Sequence, residues 1–278
     1  MSQFSKKSLK FQNKSVAKVR NKYFKIIITF ILNHVNFKKE TMNTFWDDKL
    51  PPDYYDTVLN TGLVKKRGIQ SNWHNTTFLN VKKRITSSKN HLDYACGPGS
   101  FIGIYLDKDC IGVDISQNQI EFAKNKYGTK GSFYINSDFD HIKYENYFDS
   151  ISTIGLLEYL DDDETISYLN KMQLILKPGG KLIITTPNYS FAMKTIEKAM
   201  HFLSPMNYSS EHKNKHTKKS LSNLLEKSSF QCYEIEKFMN FGIAFSFLSL
   251  NFGYTMNNLF SKFTKNKTGL LFIISLKK

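Results

Sequence analysis

His91-Leu92-Asp93-Tyr94-Ala95-Cys96-Gly97-Pro98-Gly99-Ser100-Phe101, followed downstream by Ile111-Gly112-Val113-Asp114, decides the fold of this chain. A short apolar strand ends at an acid and runs into a glycine-bearing turn; a second strand then ends in another acid. In a parallel α/β sheet this sets a tight backbone turn beside a carboxylate at the carboxyl ends of neighbouring strands, where such sheets bind ligands. The glycine spacing narrows the choice of ligand. A dinucleotide fingerprint requires G-x-G-x-x-G, whose third glycine lets the helix pack close to the strand. Counted from Gly97 and Gly99, that position is Ile102, and Gly103 comes one residue late.

The pattern is instead D-x-A-x-G-x-G, which resembles motif I of the class I methyltransferases that use S-adenosylmethionine (SAM). Small Ala95 and the glycines Gly97 and Gly99 let the backbone approach a ligand that larger side chains would exclude. The resemblance implies that SAM is the cofactor. It also assigns Asp93 to the cationic amine and sulfonium side, Asp114 to the ribose hydroxyls and Ile115 to the adenine face.

The downstream order agrees with that resemblance. Ser132-Phe133-Tyr134-Ile135-Asn136 alternates as a strand and leads into Ser137-Asp138-Phe139. In the family an acid at the place of Asp138 reaches the adenine amino group, and the residue at Phe139 packs on the ring. Tyr147-Phe148-Asp149-Ser150-Ile151-Ser152-Thr153-Ile154 reads as a fourth strand, with Ile154 at the cofactor end. Gly155-Leu156-Leu157-Glu158-Tyr159 follows, resembling the segment that passes beneath the cofactor; where a histidine often follows the glutamate, this chain has Tyr159. A helix over 163–176 stops at Lys177-Pro178-Gly179-Gly180, and Lys181-Leu182-Ile183-Ile184-Thr185-Thr186 forms a fifth strand. Ser229-Phe230-Gln231-Cys232-Tyr233-Glu234-Ile235 leads into a sixth strand, and Leu270-Leu271-Phe272-Ile273-Ile274-Ser275 supplies a seventh. The family likeness implies a Rossmann-like α/β fold. Its seven-stranded sheet has the order 3-2-1-4-5-7-6, with strand 7 antiparallel and helices on both faces.

Length and composition fit one such domain with additions: 278 residues, 41% hydrophobic and 23% charged. The expected organisation is a basic N-terminal extension (1–41), a helical cap (42–88) and a cofactor-binding domain (89–278). That domain carries helical insertions near 189–216 and 239–265. Three widely spaced cysteines, Cys96, Cys110 and Cys232, give neither a metal pattern nor a disulfide framework. They favour a reducing, cytoplasmic compartment. His212 and His216 are separated by lysines with no carboxylate at ligand spacing, so no metal is expected.

The net charge of +15 is unevenly spread. Residues 1–40 carry +9, residues 41–188 carry −2, and residues 189–278 carry +8. Basic flanks around a nearly neutral core read as attraction to an anionic surface, membrane or nucleic acid. Their apolar content tilts the choice toward peripheral membrane contact. Tyr23-Phe24-Lys25-Ile26-Ile27-Ile28-Thr29-Phe30-Ile31-Leu32 is too short to span a bilayer and reads as a helix that packs on the domain or lies on a membrane. The run 238–252, rich in phenylalanine and continuing to Phe260, reads as an amphipathic cover on the sheet, an apolar wall over the acceptor or a lipid-touching patch. Ala192-Met193-Lys194-Thr195-Ile196-Glu197-Lys198-Ala199-Met200-His201-Phe202-Leu203 has helical apolar spacing, and Thr217 is placed to cap a helix bearing Leu221, Leu224 and Leu225.

Upstream of the turn, Gln70-Ser71-Asn72-Trp73-His74-Asn75-Thr76-Thr77-Phe78 resembles the Q-x-x-W-H-x-x-x-F segment of a small-molecule branch of these methyltransferases, that of the ubiquinone/menaquinone-biosynthesis and type 11/12 domains. Phe78, Val81 and Ile85 are spaced for one helix face beside the cofactor cleft. Transfer from an activated donor needs positioning more than a base, and a base only for a hydroxyl or acidic carbon. The catalytic candidates are accordingly His74, Tyr159 and His212. The expected function is methylation of a small-molecule acceptor that is lipid-linked, quinone-like or a glycan precursor. A nucleic-acid methyltransferase rests on charge alone, because neither N/D-P-P-Y nor Pro-Cys follows the fourth strand. A non-catalytic SAM-binding scaffold is the remaining alternative.

Overall fold

The parallel strands β1 (His91–Tyr94), β2 (Cys110–Asp114), β3 (Gly131–Ile135), β4 (Phe148–Ile154) and β5 (Leu176–Pro187) carry the apolar runs that must be buried on both faces. With β6 (Cys232–Phe238) and β7 (Leu271–Lys277) they form a seven-stranded sheet in the order β3-β2-β1-β4-β5-β7-β6, in which β7 is antiparallel to both neighbours. This is the Rossmann-like order that the motifs imply. The computed structural model describes residues 46–85, 90–106, 109–190, 193–194, 211–264 and 267–278. The chain divides into two compact units, 1–50 and 51–278; in the first, residues 46–48 form a helical turn, and everything below concerns the second. The basic extension 1–41, its apolar run 23–32 and most of the helix expected over 192–203 lie outside the described residues.

Strand alternation divides the core in two. On one face, Ile183, Leu271 and Ile273 pack with α1 (Tyr54–Lys65), α2 (Ile69–Lys82), a π-helical turn (Phe101–Tyr105) and α3 (Gln117–Tyr127), through Leu59, Val81, Phe101 and Ile120. On the other, Leu92, Leu182, Ile184, Phe272 and Ile274 pack with α4 (Asp162–Ile175) and α5 (Lys218–Leu225), through Leu169, Met172, Leu221 and Leu225. Phe78 packs on the first cluster with Val81 from one face of α2, whereas Ile85, which also touches that cluster, lies past the end of the helix at Lys82. Thr217 does cap α5, accepting from Ser220 N at 3.2 Å.

Two boundaries differ from expectation. Helix α4 begins at Asp162, where Asp161 and Glu164 form a reciprocal capping box (2.9 and 2.8 Å). The expected stop Lys177-Pro178-Gly179-Gly180 belongs to β5. Leu176 already pairs with Phe148, and the register shifts before Lys181 meets Ser150. Gly179, at φ +80, absorbs the irregularity while its N–H donates to Lys278 O at 2.9 Å. The aromatic run after β6 forms a 3₁₀ segment (Phe241–Phe247) and α6 (Leu250–Phe263). Since β6 runs parallel to β5, this β6–β7 connection leaves and re-enters at the carboxyl edge of the parallel strands.

Candidate functional site

The carboxyl end of β1 turns sharply. Ala95 sits at φ +64, Gly97 at +54 and Gly99 at +77, and both Ala95 N (2.7 Å) and Cys96 N (3.0 Å) donate to Val113 O of β2. Left-handed backbone favours glycine, so the two glycines serve the turn's shape. A Cβ on Gly99 would lie 2.7 Å from the Phe133 ring and 3.0 Å from Ala123, so this glycine also seats the turn on β3 and α3. Gly103, one residue late for a dinucleotide fingerprint, still provides a close approach: a Cβ there would meet the Tyr127 ring at 2.0 Å.

Asp114, at the end of β2, accepts from Gly97 N at 2.8 Å through one carboxylate oxygen and from Ser116 N at 2.9 Å through the other. Its two oxygens are therefore aimed by the backbone, and an ionised carboxylate accepts only, which suits a vicinal diol. Gly97 and Asp114, chosen separately from sequence, form one unit.

Asp93 is buried inside the sheet. Ser152 Oγ on β4 donates to its Oδ1, and His91 Nε2 lies 3.0 Å from the same Ser152 oxygen, while His91 Nδ1 lies 2.8 Å from Ser150 Oγ. Burial pushes the Asp93 carboxyl up to about 7; the Ser152 bond opposes this and nearby Asp114 adds to it. Burial drives His91 down to about 3, so this imidazole is neutral. The remaining cofactor candidates are less alike. Ile115 and Ile154 are half-buried at the strand ends. Asp138 is exposed, with its N–H on Ile135 O at 3.0 Å. The buried Phe139 ring stacks on Tyr144 (4.9 Å between centroids, 6° between planes), within the second core cluster.

A second cluster lies at the carboxyl ends of β4 and β5. Tyr189 OH is 2.6 Å from His212 Nδ1, and the Tyr159 and His212 rings are 5.2 Å apart. The segment 212–216 is held there by the chain itself: Lys213 N and Asn214 N donate to Glu158 O at 2.8 and 3.1 Å. Glu158 is buried, accepts from Thr186 Oγ1 at 3.1 Å, and is pushed up to about 7 by burial. The fold thus joins Tyr159 to His212, residues far apart in sequence. It places the half-buried His74 elsewhere, on α2, among the Tyr55 ring at 5.6 Å and the Phe78 ring at 6.2 Å. Burial lowers His74 to about 4, so it is neutral at ordinary pH.

Of three further contributors, the His91–Ser152 pair and Asp56 escape a reading of the sequence. His91 and Ser152 meet only through the β1–β4 register. Asp56 on α1 is buried and accepts from Ser100 Oγ at 2.8 Å, Tyr127 OH at 2.5 Å and Lys126 Nζ, so α1 is tied to the residue that follows Gly99. Glu158 is the one of the three that leaves a trace, as an acid within an apolar run.

A family model described as a methyltransferase domain matches residues 70–235. Phosphoethanolamine N-methyltransferase 3 of Arabidopsis thaliana is 28% identical over 152 residues, covering 50% of this chain and 30% of that protein. Ubiquinone biosynthesis O-methyltransferase of Coxiella burnetii is 31% identical over 118 residues, covering 40% of this chain and 49% of that protein. The chain thus spans half the length, or less, of these curated relatives. A SAM-dependent methyltransferase of solved structure from Thermotoga maritima has the same fold, with TM-score 0.53 at 14% identity over 82% of this chain and 97% of that one.

Proposed function

This chain belongs to the methyltransferase-domain family, and from that premise we propose that it methylates a small-molecule acceptor with S-adenosyl-L-methionine as donor. The observation that carries the proposal is the Ala95–Gly99 turn locked to Asp114 at the carboxyl edge of β1 and β2. Bound SAM supplies a methyl group already activated by its sulfonium. The chain's own residues do the positioning. Asp114 orients the ribose diol, the turn lets the backbone close on the amino-acid moiety, and Asp93 presents a buried carboxylate to the cationic side. Ile115, Asp138, Phe139 and Ile154 complete the cofactor side in this proposal. Preorganised donors and acceptors that exclude water are the larger part of catalysis in such a displacement.

The acceptor belongs over β4 and β5, beside Tyr159, Tyr189 and His212. A phenolic or sugar hydroxyl needs its proton removed, and His212, hydrogen-bonded to Tyr189, is the base for it; an amine would need none. The O- and N-methylating relatives support a small acceptor of either kind, and the aromatic lining favours an apolar, quinone-like one. Titration calorimetry with SAM tests the donor. Micromolar binding is expected, weakened about tenfold or more in Asp114→Ala through loss of a charged hydrogen-bonding group. Unchanged affinity in that variant would remove Asp114 from the site, and no binding to the wild type would overturn the reading.

A further inference from the structure

Helix α6 is built inside out. Its inward side carries small and polar residues. A Cβ on Gly253 would lie 1.9 Å from Ser246 Oγ, Asn257 Oδ1 accepts from Asn240 N at 2.7 Å, and Ser261 Oγ accepts from Asn240 Nδ2 at 2.7 Å. Its outward side carries Phe252, Leu259 (57% exposed), Phe260 and Phe263 (86% exposed). At 100° per residue these four fall within one stripe about 100° wide, with Gly253 and Asn257 along one margin and Ser261 on the far side. The 3₁₀ segment before it buries Gly242, Ile243 and Ser246 and exposes Phe241, Phe245 and Phe247 (58%). The Phe245 and Phe252 rings meet at 5.5 Å, so the two stripes form one surface. Folding in water ordinarily puts such side chains inward, and a continuous apolar patch marks a surface meant to be covered.

Charge says by what. From residue 237 to residue 267 there are four lysines and no Asp or Glu. Exposed Lys262 lies beside the phenylalanine stripe, and the exposed Lys65-Lys66-Arg67 at the end of α1 abuts the start of α6, where Leu250 N donates to Lys66 O at 2.8 Å. Exposed Val64 and Ile69 flank these residues. An aromatic face with lysines beside it complements an anionic bilayer, into whose headgroup region the phenyl rings insert while the ammonium groups remain outside.

We propose that the outward face of the 3₁₀ segment and α6 docks the protein on an anionic membrane surface. The β6–β7 connection emerges at the same sheet edge as Asp93, Asp114 and the Tyr159–His212 cluster, so docking there would bring the site toward the bilayer and suit an acceptor dissolved in it. The docking itself does not depend on the chemistry proposed above, and it deepens that reading by giving the acceptor a source.

The test is flotation of the full chain with vesicles of phosphatidylglycerol and phosphatidylcholine in equal parts, against phosphatidylcholine alone. The wild type is compared with Leu259→Ser/Phe263→Ser, which alters only outward side chains and leaves the basic residues in place. The wild type is expected to float with the anionic vesicles, and the variant to bind them about tenfold or more weakly, as loss of two inserted apolar side chains requires. Its SAM affinity by calorimetry should match the wild type, which shows that it is folded and separates this test from that of the cofactor. Equal vesicle binding by the two proteins would overturn the proposal. So would absence of wild-type binding, or a wild-type dimer that the double substitution dissociates without any vesicle binding.

Discussion

Asp93 and Glu158 are two buried carboxyls, both held up to about 7 by desolvation, at the ends of adjacent strands β1 and β4. Their folded values lie above the ordinary carboxylate range, so folding takes up protons. The stability they contribute is full below the unfolded value near 4 and is lost as pH rises through about 7. His74 and His91, with lowered values, act in the opposite sense, costing stability only as pH falls below about 6.5. Urea unfolding should therefore show the wild type less stable at about pH 8.5 than at about pH 7, a range above the titration of the histidines, with Asp93→Asn and Glu158→Gln each flattening that dependence. An unchanged slope in both variants would refute the assignment. Asp93 and Asp114 were legible because an acid that ends an apolar strand just before a glycine turn has few structural explanations. The polar residues His91, Ser150 and Ser152 were not, because side chains meet across a sheet only when the register is known.

At the scale of elements, capping and periodicity were read more reliably than ends. Thr217 was legible as a cap because a hydroxyl ahead of Leu221, Leu224 and Leu225 satisfies an otherwise unpaired N–H. The start of β5 was not, because Pro178, Gly179 and Gly180 are helix-stop residues that here serve as an irregularity within a strand pair. The aromatic run 238–252 was identified, but its side chains' direction was not. An amphipathic pattern says that a helix has two faces, not which one the fold buries; here the contacts of Gly253 and Asn257 decide it. Gly253→Ala should accordingly destabilise by about 1–3 kcal/mol, the usual cost of overpacking, because its methyl group has no room against Ser246. Chemical denaturation would measure this, and a neutral result would mean that the 3₁₀ segment yields easily.

Across the whole molecule, charge and fold are separate messages. The stretch 41–188, which contains β1 to β5, carries −2, and the basic excess lies at either side of it in the sequence. Binding to nucleic acid through lysines alone is counterion-driven, so retention on heparin should disappear by about 0.3 M salt, without methyl transfer to RNA or DNA. Salt-resistant retention with methyl incorporation into RNA would restore the nucleic-acid alternative. Among the described residues no helix is long and apolar enough to cross a membrane. Local sequence marks the strands and places the glycine turn, while the strand order follows from the family likeness. Apolar runs ending in acids, and glycines before a helix, are local signals that physical chemistry permits in few arrangements. Only the tertiary structure decided that Asp114 is locked to Gly97, that His91 and Ser152 lie beneath Asp93, that Tyr159 meets His212, and that α6 turns its phenylalanines outward. Each of these depends on pairings between residues distant along the chain, which strand register and helix docking fix and local sequence does not.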